Sequence, residues 1–181
     1  MKNHYKIFFT IIIIFTSIAF SGCDPFDDVY LTLALESNFS TTGVGTSISL
    51  TNNLCLSDFS DYEDNRDKLE EIRYITSAYM TLDATQDLRG DNLTLKLFKA
   101  DGTTLLFQFV VPVFVANNYV NNPLKINLTQ PEINNLNTYL VNPQEDKCFV
   151  ATLDVSNVSS SGIIYTLNSK LEFLTELKIK P

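Results

Sequence analysis

Between Val29 and Lys180, stretch after stretch of this chain places an apolar side chain at every second position. That period puts alternate residues on opposite faces of an extended backbone, so it calls for strands with one buried face. Val29, Leu31, Leu33 and Leu35 predict a strand over 29–36, and Ile48 and Leu50 predict one over 46–51. With a turn-rich break at 38–45 between them, the two read as a hairpin. Residues 74–83 follow, with Tyr74, Thr76, Ala78, Met80 and Leu82 on one face, then 93–99 with Leu93, Leu95 and Leu97 inside.

Asp101-Gly102 is a hairpin turn. Its second strand, 104–115, is so continuously apolar that burial on both faces is expected. Pro112 within it lacks a backbone donor, which requires a bulge, a bend or an edge. A short strand at 124–128, a strand at 148–155 with Phe149, Ala151, Leu153 and Val155 on one face, and a long stretch at 163–180 complete the set. Ser159 to Gly162 reads as the turn between the last two.

Two segments depart from period two. Over 62–72, Leu69 and Ile72 are spaced three apart, with Glu63 and Asp64 early and Lys68 and Arg73 late, which predicts a short helix. Thr129, Pro131 and Glu132 form a capping-box start for a helix over 130–140, with Ile133, Leu136 and Leu140 as its stripe. About eight strands and two short helices predict an antiparallel β-sandwich, with a closed β-barrel as the alternative.

The first 23 residues have a different character. Lys2 and Lys6 precede an apolar run from Ile7 to Phe20, and Phe20-Ser21-Gly22-Cys23 closes it with small residues before a cysteine. A cationic head, a short apolar middle and a small-residue end describe a secretory signal peptide. The run falls short of the ~20 residues a spanning helix needs, which argues against an uncleaved anchor. Phe20-Ser21-Gly22-Cys23 resembles the lipobox of bacterial lipoproteins, apart from Phe20 where Leu is more usual. The resemblance covers Met1 to Cys23 only. It implies that Cys23 is acylated and becomes the first residue of the exported protein, held to a membrane by its acyl chains. An ordinary signal peptide with an unacylated Cys23 is the alternative. Asp24-Pro25-Phe26-Asp27-Asp28 resembles the acidic tether of some such lipoproteins. The expected division is therefore a signal peptide at 1–22, a lipidated cysteine with its tether at 23–28, and one sandwich domain at 29–181. The implied location is the outer membrane, facing the periplasm or the cell surface.

Removing the first 22 residues leaves 159, with 11 basic against 21 acidic residues and a net charge of −10. So acidic a domain is a poor partner for nucleic acid. The single histidine, His4, leaves with the leader, which removes Ser-His-Asp and Cys-His hydrolases and the usual His-bearing zinc sites. With Cys23 acylated, Cys55 and Cys148 remain, and an exported chain favours a disulfide between them over two separate thiols.

Other candidates are set against plainer readings. Asp58, Asp61, Glu63 and Asp64 offer oxygen ligands to a hard cation, but their spacing matches no EF-hand loop. Asp83, Asp87 and Asp91 do the same over 83–91, where Arg89-Gly90-Asp91 is read as part of a polar loop and turn. Tyr62, Tyr74, Tyr79, Tyr119, Tyr139 and Tyr165 are candidates for a sugar-binding face, against the plainer role of core aromatics. Asn38, Asn92, Asn127 and Asn157 each begin an N-x-Ser/Thr sequon. No cofactor is expected. The functional expectation is a non-enzymatic envelope lipoprotein acting as a structural or interaction module, with an envelope protein as its partner. The alternative is a glycan- or lipid-binding module of an uptake system.

Overall fold

A computed structural model describes residues 28–180; the leader, Cys23 and most of the acidic tether lie outside the described residues. Among the described residues eight strands form: β1 (Val29–Gly43), β2 (Ser47–Cys55), β3 (Leu69–Ala84), β4 (Arg89–Lys99), β5 (Leu105–Val115), β6 (Leu124–Ile126), β7 (Cys148–Ser156) and β8 (Tyr165–Ile179). A one-turn helix, α1 (Ser60–Glu63), lies between β2 and β3, and α2 (Gln130–Tyr139) between β6 and β7.

The strands make two antiparallel four-stranded sheets, in the orders β1-β8-β3-β6 and β2-β7-β4-β5. The chain therefore forms an open β-sandwich, and the closed-barrel alternative falls away. The pairs β4–β5, β3–β6, β2–β7 and β1–β8 are nested. Together they make one long antiparallel ribbon folded back at a single point. Rolling that ribbon up adds the pairs β8–β3 and β7–β4, which is jelly-roll topology. Leu35, Phe39, Leu167, Leu171 and Phe173 from one sheet meet Leu93, Leu95, Leu97, Phe107, Phe149 and Leu153 from the other in one apolar core.

The fold-back point is the Asp101-Gly102 turn. Asp101 Oδ1 accepts from the amides of Thr103 (2.8 Å) and Thr104 (2.7 Å), and Gly102 sits at φ +66°, which glycine adopts without strain. The Thr104 hydroxyl and these amides hold the Asp101 carboxyl well below the usual carboxylate range. Farther along the ribbon, Cys55 faces Cys148 in register across β2–β7, and the two form a disulfide.

Helix α2 has its expected capping box. Glu132 also reaches the sheet: one oxygen accepts from the Thr129 amide and the other from the Gln108 amide at 3.2 Å. Burial works to raise the Glu132 pKa, but hydrogen bonds from Thr129 and Gln108 leave it lowered. Asn137 Oδ1 accepts from the Tyr74 amide at 2.9 Å. One helix thus satisfies edge amides of β5 and β3, while Leu136 and Leu140 bury its apolar side.

Several expectations are corrected. β1 and β2 are not a hairpin, because they lie in different sheets; only β4–β5 joins consecutive strands within one sheet. Ser159 to Gly162 likewise belongs to a crossover between sheets. β1 runs through the expected break to Gly43, with Phe39 buried. The helix over 62–72 is instead α1, a short 3-10 turn and the start of β3. Leu69 and Ile72 are both buried because the register shifts between Leu69 and Glu71, and one extra residue brings positions three apart onto the same face. A second shift between Tyr74 and Thr76 turns Ser77, Tyr79 and Thr81 inward, opposite to the face expected. The polar loop at 84–92 shrinks, since β4 already begins at Arg89. β5 is an edge strand, as Pro112 allows, rather than one buried on both faces; Leu105, Val110 and Val113 are exposed. β8 begins at Tyr165, leaving Ile163 outside it.

The disulfide closes a 93-residue separation. Replacing both cysteines by serine is expected to lower stability by about 4 kcal/mol, measured by denaturant unfolding. Asp101→Asn is expected to lower the thermal midpoint at neutral pH. Because the Asp101 pKa is depressed on folding, its stabilisation is present above the unfolded value and lost as pH falls. The gap between the two proteins should therefore close progressively below about pH 4, as thermal melts across pH will show.

Candidate functional site

The two ends of the sandwich differ. Val29, Cys55, Leu69, Lys99, Cys148 and Ile179 lie at the end where the chain enters the domain. Gly43, Ser47, Ala84, Arg89, Val115, Ser156 and Tyr165 lie at the other, the distal end. The distal end carries a small cleft of about 280 Å³ between the start of β4, the end of β5 and the segment after β7.

Three backbone features build that cleft. Arg89 exchanges backbone hydrogen bonds with Ser159 in both directions at 2.9 Å, tying β4 to the segment after β7. A Cβ on Gly90 would meet Val155 Cγ1 at 2.4 Å and the Ser156 carbonyl oxygen at 2.7 Å, so only glycine lets β4 lie this close to β7. Val113 and Asn157, on facing sides, hold φ values of +54° and +49°, and Asp87 nearby holds +61°. Asn and Asp tolerate that region. A β-branched valine does not, and its side chain is 76% exposed, so no burial offsets the strain.

The polar groups here are Arg89, Asp91, Asn157 and Ser159. Asn157 Nδ2 donates to Asp91 Oδ2 at 2.6 Å, and Arg89 Nε donates to the Asp87 carbonyl at 3.5 Å. The cleft thus places a cation, an anion and hydrogen-bonding groups beside exposed valine. Val44, Ile163 (90% exposed) and Ile164 stand out from the same end.

The other predicted site residues are dispersed or already engaged. Asp58 Oδ2 accepts from the Cys55 amide at 2.7 Å, Glu63 lies 3.6 Å from Arg66, and Asp61 and Asp64 are exposed around α1. Among the described residues, the groups of metal-ligand type that converge are Cys55, Asp146 and Cys148, and the two sulfurs are bonded to each other. Asp146 is occupied by the Ser57 amide (3.0 Å) and hydroxyl (2.6 Å). Asp83 and Asp87 do not join Asp91 at Asn157. Arg89-Gly90-Asp91 opens a strand rather than forming a turn. All four sequon asparagines are exposed.

The tyrosine platform is corrected. Tyr62, Tyr79 and Tyr165 are buried, while Tyr74, Tyr119 and Tyr139 pack against the core. Their hydroxyls act as internal staples: Tyr62 donates to the Pro143 carbonyl, Tyr139 to that of Cys148 and Tyr165 to that of Ser47. Burial pushes the Tyr79 phenol up to about 12. Residue order does not single out Val113 or Asn157 as cleft residues; only Pro112 hints at an irregularity beside Val113.

No protein-family model matches the chain, and no curated protein is similar to it. Among solved structures it is similar to the infectious bursal disease virus VP2 subviral particle, at 13% identity and a TM-score of 0.35. That alignment covers 88% of this chain and 39% of the other, so the chain spans about two fifths of the VP2 protein's length. It is also similar to the decameric BFDV capsid protein, at 12% identity over 82% of this chain and 99% of that one, with a TM-score of 0.32. A third is desmodium yellow mottle tymovirus, at 9% identity over 83% and 90%, with a TM-score of 0.28. Superpositions this loose add nothing to the fold, which rests on the strand pairing itself.

Replacing Val113 by Asn, which tolerates positive φ, is expected to raise stability by about 1 kcal/mol, read from the shift in denaturant midpoint. Gly90→Ala should act in the opposite direction in the same assay.

Proposed function

We propose that this chain is a non-enzymatic cell-envelope lipoprotein, held by an acylated Cys23, whose β-sandwich is an interaction module for another envelope protein. The observation that carries the reading is the opposition of the two ends. The chain leaves Cys23 and enters the domain at one end, and the strained backbone and exposed Val44, Val113, Ile163 and Ile164 stand at the other. Neighbouring exposed apolar side chains rimmed by polar ones are a feature of interaction surfaces. The histidine-free exported chain and the tyrosines committed to the core both favour recognition by surface over hydrolysis or sugar stacking.

Three measurements test this. Mass spectrometry of the mature N-terminus is expected to find an acylated cysteine, and Cys23→Ser to move the protein from the membrane to the soluble fraction; an unmodified Cys23 overturns the anchor. A photo-reactive residue at position 163 in living cells is expected to give a saturable crosslink that is lost when Ile164 is changed to Asp. A matching residue at Glu172, on the outer sheet face, should give none. Equal crosslinking from both positions overturns the distal contact.

A further inference from the structure

The end of the sandwich nearest Cys23 has an apolar surface of its own. Val29, Tyr30 and Leu31 are consecutive and 45%, 54% and 36% exposed. The exposure of Val29 and Leu31 breaks the strand's own rule. Leu33 and Leu35 share the parity of Val29 and Leu31, and both are buried. Val29 and Leu31 share the core-facing parity and lie opposite buried Ile179 and Leu177, yet stay exposed on the edge strand, while Tyr30 is apolar on the opposite side. The start of β1 thus shows apolar surface on both faces, an arrangement a free soluble strand avoids. Val141, at the end of α2, is also exposed and lies beside Glu70 and Lys178, at the same end of the sheet.

Geometry selects what covers this surface. Val29 is six residues from Cys23, so the connecting backbone reaches at most about 20 Å. If Cys23 is acylated, its α-carbon lies at the bilayer surface, and the start of β1 cannot be far from it. Resting on that anchored reading, we infer that the entry end of the sandwich seats on the lipid bilayer itself, with Val29, Tyr30 and Leu31 in the interfacial layer. Tyrosine suits that layer, since its ring is apolar and its hydroxyl stays wet. Lys178, opposite Tyr30 across β1–β8, is ion-paired at 2.9 Å to both Asp28 and Glu70. This neutralises its charge locally and leaves apolar contact as the attraction. A chain of net charge −10 from Cys23 onward gains nothing from anionic headgroups, so the seat forms on zwitterionic lipid.

The chain contains no tryptophan, so one introduced indole reports alone. Tyr30→Trp and, at the far end, Ile163→Trp are placed on phosphatidylcholine vesicles. The protein carries its native anchor or, if Cys23 proves unmodified, is coupled through that thiol to a maleimide lipid. This separates failure of the seat from failure of lipidation. The expected result is a blue shift of the Tyr30→Trp emission and loss of its intensity to brominated phosphatidylcholine, with the Ile163→Trp emission unchanged. Should the substitution unfold β1, seen as lost amide protection, Val29→Trp reads the same surface. Equal responses from the two ends, or no response from either β1 variant, overturn the inference. So does a blue shift that bromolipid does not quench and that depends on protein density, since a second copy would then be the cover.

Discussion

Everything in this domain hangs on one antiparallel ribbon that closes on itself locally only once. The Asp101 carboxylate gathers the amides of Thr103 and Thr104, Gly102 takes the positive φ, and β4 meets β5. Every other pair in the ribbon is more distant, out to Val29 opposite Ile179. Distant pairs lose more loop entropy before their contacts return any stabilisation. The Cys55–Cys148 bond offsets part of that loss by fastening the ribbon midway, directly across β2–β7. Beyond it, the 3-10 turn after β2 stays joined to the approach to β7 through the Leu56 amide on the Lys147 carbonyl and Ser57 on Asp146.

Rolling the ribbon leaves edges, and the chain treats them differently. At β5 the Gln108 amide is taken by Glu132, and Pro112 removes a donor altogether. At β3, where β6 covers only Ser77 to Tyr79, Asn137 takes the Tyr74 amide. A single helix guards both edges, and its capping glutamate serves helix and sheet at once. On the outer face of the other sheet edge, Lys170 bridges Glu36 and Glu172. The hydrogen bond from Lys170 lowers the Glu36 pKa, and the hydrogen bond to Glu36 raises that of Lys170. These devices satisfy the edges of the sandwich body, where Ile75 and Val110 are exposed singly, while consecutive apolar exposure falls at Val29 to Leu31 and at Ile163 and Ile164.

The ends are where local preference and observed structure disagree. Val113 holds a backbone conformation that valine disfavours, and Val29 and Leu31 expose side chains whose pattern asks for burial. In a chain otherwise consistent from propensity to packing, such conflicts mark the places where something other than folding set the residue. They fall at opposite ends, one beside the entry from Cys23 and one as far from it as the fold allows. An anchored domain that faces lipid at one end and a partner at the other would have that distribution.

Much of the fold was legible in residue order because its causes are local. Leu93, Leu95 and Leu97 alternate inward in β4, and Phe149 to Val155 do so in β7. Thr129 and Glu132 start α2, and Asp101-Gly102 turns the chain, each from interactions spanning a few residues. Alternation reports which face of a strand is buried, but it carries no information about which strand lies alongside. Only the three-dimensional structure could therefore place β1 and β2 in different sheets, or reveal the extra residues in β3 that mimic helical spacing at Leu69 and Ile72. The same limit applies to function. Composition and the opening residues point to export and an anchor. It took the rolled ribbon to draw the tyrosines into or against the core, commit Asp146 to the Ser57 amide and hydroxyl, and bring Arg89, Val113 and Asn157 together. Contacts between residues far apart in the chain are set by how the sheets stack, and no local pattern encodes them.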